Sequence, residues 1–319
     1  MTQRKSKLDG VAVVALVACC AVWGLGQVAS KTTLSEVPPL LQAGLRSIGA
    51  ALLVAAWARW RGIRLLDHDG TWRAGLCVGL LFATEFACIF TGLKFTTASR
   101  MAVFVYLAPF VVALGMPLIA PGERLGATQS LGLVAAFAGV AWAFAEGFQQ
   151  PSVGELQWLG DALGVAGAML WGATTLVIRA TRLSQAVPEK TLLYQRALSG
   201  VALTCGSWLA GETWPSRLSA GPAGWLAFQV VVVCFASYLM WFWLMRHYPA
   251  TRLSAFTLLT PVLGLLAGVV LMDDPLTMRL VVALIAVAIG IAWVHRGHNE
   301  PHTQVEEATA RSDSMSKKY

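Results

Sequence analysis

One carboxylate stands inside an apolar run of this sequence. It is Glu85, within residues 74–93. About twelve residues into a helix, at about 1.5 Å per residue, it would lie about 18 Å deep, near the midplane of a bilayer. An ionised carboxylate at that depth costs at least about 3 kcal/mol, so it must face a wet cavity, pair with a cation or take up a proton. Proton coupling is the chemistry such a group can perform. The plainer alternative is a protonated carboxyl hydrogen-bonded to a neighbouring helix, which is structural only.

Two prolines mark the next candidates. Pro109 and Pro261 fall near the middle of long apolar runs. A mid-helix proline lacks an amide donor and releases the carbonyl four residues earlier, here those of Val105 and Thr257. Released carbonyls at bilayer depth are tolerated where they meet protein or line a cavity. Tyr106, Thr257 and Thr260 stand beside these breaks and could bind polar groups of a solute; a simple structural kink is the commoner use of a membrane proline. Trp23, Trp171, Tyr238 and Trp241, with Phe104, offer aromatic faces suited to flat, apolar or cationic solutes. Trp60, Trp72 and Trp158 fit an interfacial belt instead. Gln27 joins the substrate-binding set, while Gln42, Gln195 and Gln229 could equally tie helices together. Glu123 and Asp274 close their apolar runs and are expected to gate opposite faces, or simply to solvate loop ends. Arg46 and Arg196 are expected to snorkel or to bind loop carbonyls, with anion attraction the lesser role.

The elements that must position these residues are membrane helices. Of 319 residues, 56% are hydrophobic and only 13% charged, with a mean hydropathy of +0.63. Apolar runs of about twenty residues recur, each long enough to cross a hydrocarbon core of about 30 Å. The expected spans are 10–29, 38–57, 74–93, 98–119, 126–145, 158–178, 190–210, 223–243, 251–271 and 276–294, an all-α membrane protein of about ten helices. Shorter alternating segments of the β-barrel kind do not occur. The first helix is expected to stay uncleaved despite the lipobox-like Leu16-Val17-Ala18-Cys19. Basic residues collect at 4–7, 59–73, 179–190 and 246–252. Lys31, Lys94, Arg100 and Arg217 run against that bias, which still places both termini in the cytoplasm of a multi-pass inner-membrane protein.

The runs repeat. Trp23-Gly24 matches Trp171-Gly172, Arg46 matches Arg196, Pro109 matches Pro261, and Glu123-Arg124-Leu125 matches Asp274-Pro275-Leu276. Each copy holds five helices, an odd number, so the second enters the membrane from the opposite face. Such inverted repeats place a substrate path between the halves near the midplane. The repeat sets Ser237 opposite Glu85, so any coupling would be asymmetric. The expected organisation is an N-terminal segment 1–9, a five-helix repeat 10–146, an extracytoplasmic linker 147–157, a second repeat 158–294 and a disordered cytoplasmic tail 295–319.

These marks carry a resemblance. Trp23-Gly24, Trp171-Gly172, Arg46, Lys94 through Ser99-Arg100, the Pro109 and Pro261 helices, Gly122-Glu123-Arg124-Leu125 and Asp161 resemble the drug/metabolite transporter superfamily, in its form with two EamA-like domains. The likeness runs over about residues 10–295 and departs from the family at Asp274, more often Glu, and at Glu85, in a helix that is usually apolar. It implies a transporter that exports or imports small metabolites, amino acids or drugs; the expected function is a secondary exporter whose inverted halves rock to give alternating access.

Other classes find less support. The net charge of +7 lies mostly in short loops, which argues for orientation rather than nucleic-acid binding. The six cysteines fall in apolar runs and read as small buried hydrophobes. His295, His298 and His302 fit no common metal spacing. No phosphate-binding G-x-x-x-x-G-K-[ST] loop occurs, so direct ATP drive is excluded. An intramembrane acyl or lipid-group transferase would need clustered His, Asp or Ser, and a channel would need a continuous polar stripe. No cofactor is expected; the expected partners are a small-molecule substrate and membrane lipids. Gly75/Gly79, Gly160/Gly164 and Gly264/Gly268 have the spacing of close helix contact.

Overall fold

The computed structural model describes residues 5, 8–65, 67, 69–149, 154–272 and 276–296. Among them the chain is all helical. The long helices are α1 (Gly10–Thr33), α2 (Pro39–Trp60), α3 (Trp72–Gly92), α4 (Ala98–Ile119), α5 (Ala127–Ala143), α6 (Gln157–Ala180), α7 (Pro188–Leu209), α8 (Ala220–His247), α9 (Ala250–Leu271) and α10 (Met278–Arg296). Eight are long and apolar enough to cross a membrane. The exceptions are α5, which is short, and α7, which carries Glu189, Lys190 and Arg196. Lys190, Gln195 and Arg196 are buried against other helices, so lipid does not meet the polar face of α7. The linker residues 150–153, Asp274 and the tail beyond 296 lie outside the described residues.

The packing follows the repeat. α1 lies against α9 as α6 lies against α4, and α1 meets α8 as α6 meets α3. α2 packs on α7 and α5 on α10, each a pair of equivalents. The fold is therefore two interlocked five-helix bundles of opposite direction, sharing their central interface rather than standing side by side. We call the end where the chain enters α1 proximal, and the other distal.

Glycine sets the closest approaches. A Cβ on Gly24 would stand 2.7 Å from the backbone nitrogen of Gly264, so α1 and α9 touch nearly backbone to backbone. Gly75 and Gly79 receive Tyr194 and Leu198 of α7, and Gly160 and Gly164 receive Thr96, Phe104 and Met101. Gly132 and Gly290 make an equivalent contact between α5 and α10, one that lacks the repeated glycine spacing of the others.

Both proline helices are broken where the sequence expects. α4 divides into Ala98–Val105 and Ala108–Ile119, and α9 into Ala250–Phe256 and Leu259–Leu271. Tyr106-Leu107 and Thr257-Leu258 form the turns. One expectation needs correction: the Thr257 carbonyl is not released, because it accepts from the Thr260 amide at 3.0 Å. A tightened turn satisfies it internally, as helix ends commonly do. A second irregularity has no proline to announce it. Gln229–Ser237 of α8 is wound as a π-helix, a form concentrated at functional sites.

Candidate functional site

The two helix breaks meet. Tyr106, at the break of α4, lies beside Thr260, just past the break of α9. Its hydroxyl also accepts from Gln27 Nε2 of α1 at 3.4 Å, and its ring packs edge-on to Trp171 of α6 at 5.8 Å. Pro109 and Pro261 are buried behind these turns. Thr257 is also buried, and its hydroxyl donates to the Ser254 carbonyl of its own helix at 2.6 Å. That leaves Tyr106, Gln27, Trp171 and Thr260 as one cluster drawn from α1, α4, α6 and α9.

A second cluster adjoins it through α1. The Trp23 indole donates to Ser237 Oγ at 2.8 Å and packs against Tyr238 at 5.6 Å and Trp241 at 5.3 Å. Ser237 ends the π segment, whose wider turn carries this hydroxyl and Tyr238 on α8 toward α1. Phe104 stands apart, near Phe148 and under Arg100 at the distal end.

Glu85 belongs to the second cluster. It is only 5% exposed, and its Oε2 has no hydrogen-bond partner among the described residues. The groups within electrostatic reach are two guanidiniums, Arg196 of α7 and Arg46 of α2. Arg196 lies against two rings, 4.7 Å from the Phe82 centroid and 3.9 Å from that of Tyr238. Arg46 lies 5.0 Å over Phe86 and approaches Gln229 Oε1 at 3.5 Å. The snorkelling expected of these arginines fails for Arg196, which is 1% exposed. Position along a helix tells how far a side chain is from the surface, but not that neighbouring aromatic residues will hold it inside. The repetition of Arg46 as Arg196 was the signal that could have found them.

Ion pairs link the two repeats at both ends. Glu123, after α4, pairs with Arg179 at the proximal end of α6. Its other oxygen accepts from the Ala250 amide that starts α9, at 2.7 Å. At the distal end Arg100 of α4 pairs with Asp161 of α6, which also accepts from Thr96 at 2.6 Å. Each of these links joins the first five helices to the second five. A satellite pair at the proximal surface joins Lys190 to Asp69 at 2.8 Å, and the Lys190 ammonium with the Thr71 hydroxyl holds the Asp69 carboxyl down to about 2.

A helical membrane protein built of inverted, interlocked repeats around a buried aromatic and charged centre is the architecture of a solute carrier. The chain belongs to the EamA-like transporter family, which it matches at residues 10–145 and 158–296. It is thus a multi-pass membrane transporter of small molecules, in a family of transporters rather than enzymes. It is 27% identical to the uncharacterized transporter YvbV of Bacillus subtilis, over 86% of this chain and 88% of that one. It is 25% identical to a protein of Escherichia coli K12 named "Probable amino-acid metabolite efflux pump", over 85% and 89% of the two chains. A crystal structure of a protein 20% identical superposes with a TM-score of 0.73, covering 88% of this chain and 98% of the other, which supports the fold.

Proposed function

We propose that the chain is a secondary exporter of small metabolites, amino acids or drugs, with Glu85 as its proton-coupling group. The observation that carries this reading is a carboxylate buried between the repeats, with one oxygen unpartnered and two guanidiniums nearby. A carboxylate so placed can exchange a proton without rearranging a hydrogen-bond network, and intramembrane acids commonly serve proton relays. Alternating access fits the cross-repeat ion pairs at both ends, since one set must open while the other stays closed. Trp23, Tyr106, Trp171, Tyr238, Trp241 and Thr260 line the route, with Gln27 reading polar groups. The bias of basic residues supports a cytoplasmic proximal end, in an inner membrane. The efflux name of the Escherichia coli relative supports the direction and the solute class.

Flux in proteoliposomes tests it. A metabolite mixture loaded inside should be redistributed when a proton gradient is imposed, and Glu85→Gln should abolish the response to the gradient while solute exchange persists. Gradient-driven flux equal to that of the unaltered protein in Glu85→Gln vesicles would remove Glu85 from the coupling.

A further inference from the structure

We infer that the centre between α2, α3, α7 and α8 is built to hold the carboxylate of an organic solute, gripped by Arg46 and Arg196. This rests on the transporter reading above and names the solute class its site selects. It does not depend on Glu85 carrying protons.

Two guanidiniums face one carboxylate in the interior, which leaves the cluster one positive charge in excess when all three are ionised. Arginine keeps its charge in proteins, so the excess cannot be removed by loss of a proton. Buried charges are ordinarily paired and hydrogen-bonded. Here none of the three nitrogens of Arg196 has a hydrogen-bond partner among the described residues, although the residue is 1% exposed. Arg46 Nε is likewise unpartnered, and its Nη1 has only the long 3.5 Å contact to Gln229. Ring faces supply part of the compensation, through Phe82 and Tyr238 for Arg196 and Phe86 for Arg46. A ring face satisfies charge from above and leaves the in-plane N–H fork open.

That open fork defines the ligand. The donors of a guanidinium match the two oxygens of a carboxylate, which is why arginine is favoured for planar, bidentate recognition. Phe82 and Phe86 stand one turn apart on α3 with centroids 4.8 Å apart, so their rings align the two guanidiniums along one side of the helix that bears Glu85. The same rings and Tyr238 offer an apolar bed for the body of the solute. Glu85 is the internal competitor: it presents to the pair the very group that the solute would bring. A free amino acid and a simple organic acid share this head group, and they differ in whether an ammonium then reaches Glu85.

The test compares head groups on one apolar body. The full-length, detergent-purified protein is unfolded thermally with 3-phenylpropionate, 3-phenylpropanamide, phenethylamine or sodium sulfate at equal ionic strength. The carboxylate is expected to bind roughly tenfold or more tightly than the amide or the amine, and so to be the one probe that raises the midpoint. Equal shifts from amide, amine or sulfate would overturn the proposal, and that comparison needs no variant. Arg196→Gln and Arg46→Gln should each abolish the carboxylate shift, whereas Arg196→Lys, which keeps charge but loses the fork, should retain a weakened one. A full shift in Arg196→Gln would also overturn it. Glu85→Gln should bind 3-phenylpropionate at least as tightly as the unaltered chain, which separates this site from proton coupling; loss of binding there would count against competition at one site. Phenylalanine in place of 3-phenylpropionate tells the two sources apart, since tighter binding assigns the ammonium to Glu85 and equal binding assigns a simple acid, each supporting a carboxylate site.

Discussion

The two broken helices, α4 and α9, are copies that share a backbone and differ in their charges. Each begins with an arginine on its first turns, breaks before its proline, and runs to an acid. Yet Arg100 pairs with Asp161 across the repeat boundary, while Arg252 is 4% exposed with Nη1 unpartnered among the described residues. Arg252 shares a small cavity with Glu123 and Thr251, but Glu123 is engaged by Arg179 and the Ala250 amide. The distal end is thus tied by an arginine of the broken helix, the proximal end by the acid after it. The same inequality recurs at the centre, where α3 carries Glu85 and α8 carries Ser237. Duplication has kept the hinge, which depends on proline and turn geometry, and has let the charges diverge.

The largest expected effect lies at the proximal tie. Glu123→Gln breaks the buried pair with Arg179, whose side chain is 1% exposed and which still donates to the Met245 carbonyl, and should destabilise the protein by about 3–5 kcal/mol. Arg100→Gln at the distal tie removes a more exposed partner and should cost about 1–3 kcal/mol. Thermal unfolding in detergent measures both, and equal losses would break the contrast between the ends. Each substitution should also raise cysteine- or label-accessibility on its own side alone.

A smaller effect tests the equivalent glycines. An added methyl at Gly24 meets the backbone of Gly264, whereas at Gly172 it meets the side chain of Val111. The Val111 atom met is its Cβ, which the backbone fixes as firmly as the Gly264 nitrogen, so Gly24→Ala and Gly172→Ala should each cost about 1–3 kcal/mol. Unfolding midpoints of the two variants decide it; an unchanged midpoint in either would mean that its helix pair is the more loosely fitted.

The smallest effect concerns pH at the proximal surface. The Asp69 carboxyl is held near 2 in the folded chain against an ordinary value of 3.8. A depressed folded value contributes stability in full above the ordinary value and loses it as pH falls toward 2. Between pH 4 and pH 2 the unaltered protein should therefore lose slightly more stability than Asp69→Asn, read as the difference in unfolding midpoint. Parallel curves would show the Lys190 pair to be inert there.

Much of this architecture was readable in advance. Hydropathy placed the helices to within a few residues, because a segment that faces lipid must be predominantly apolar. The breaks were readable at Pro109 and Pro261, since proline forbids the hydrogen bond wherever it stands. The repeat showed in Trp23-Gly24 and Trp171-Gly172, and its odd helix count implied inversion. The π segment of α8 was not readable, because Gln229–Ser237 has no proline or glycine to force it. Nor was the fate of Arg46 and Arg196, since a helical arginine near a membrane surface reaches outward unless something encloses it. Here Phe82, Phe86 and Tyr238 enclose it, brought there from α3 and α8. The backbone hinge of Tyr106 and Thr257 is a local property, dictated by covalent chemistry a few residues away. The charged centre that sits beside it is a property of packing, because solvation of a buried group is set by residues far off in the chain.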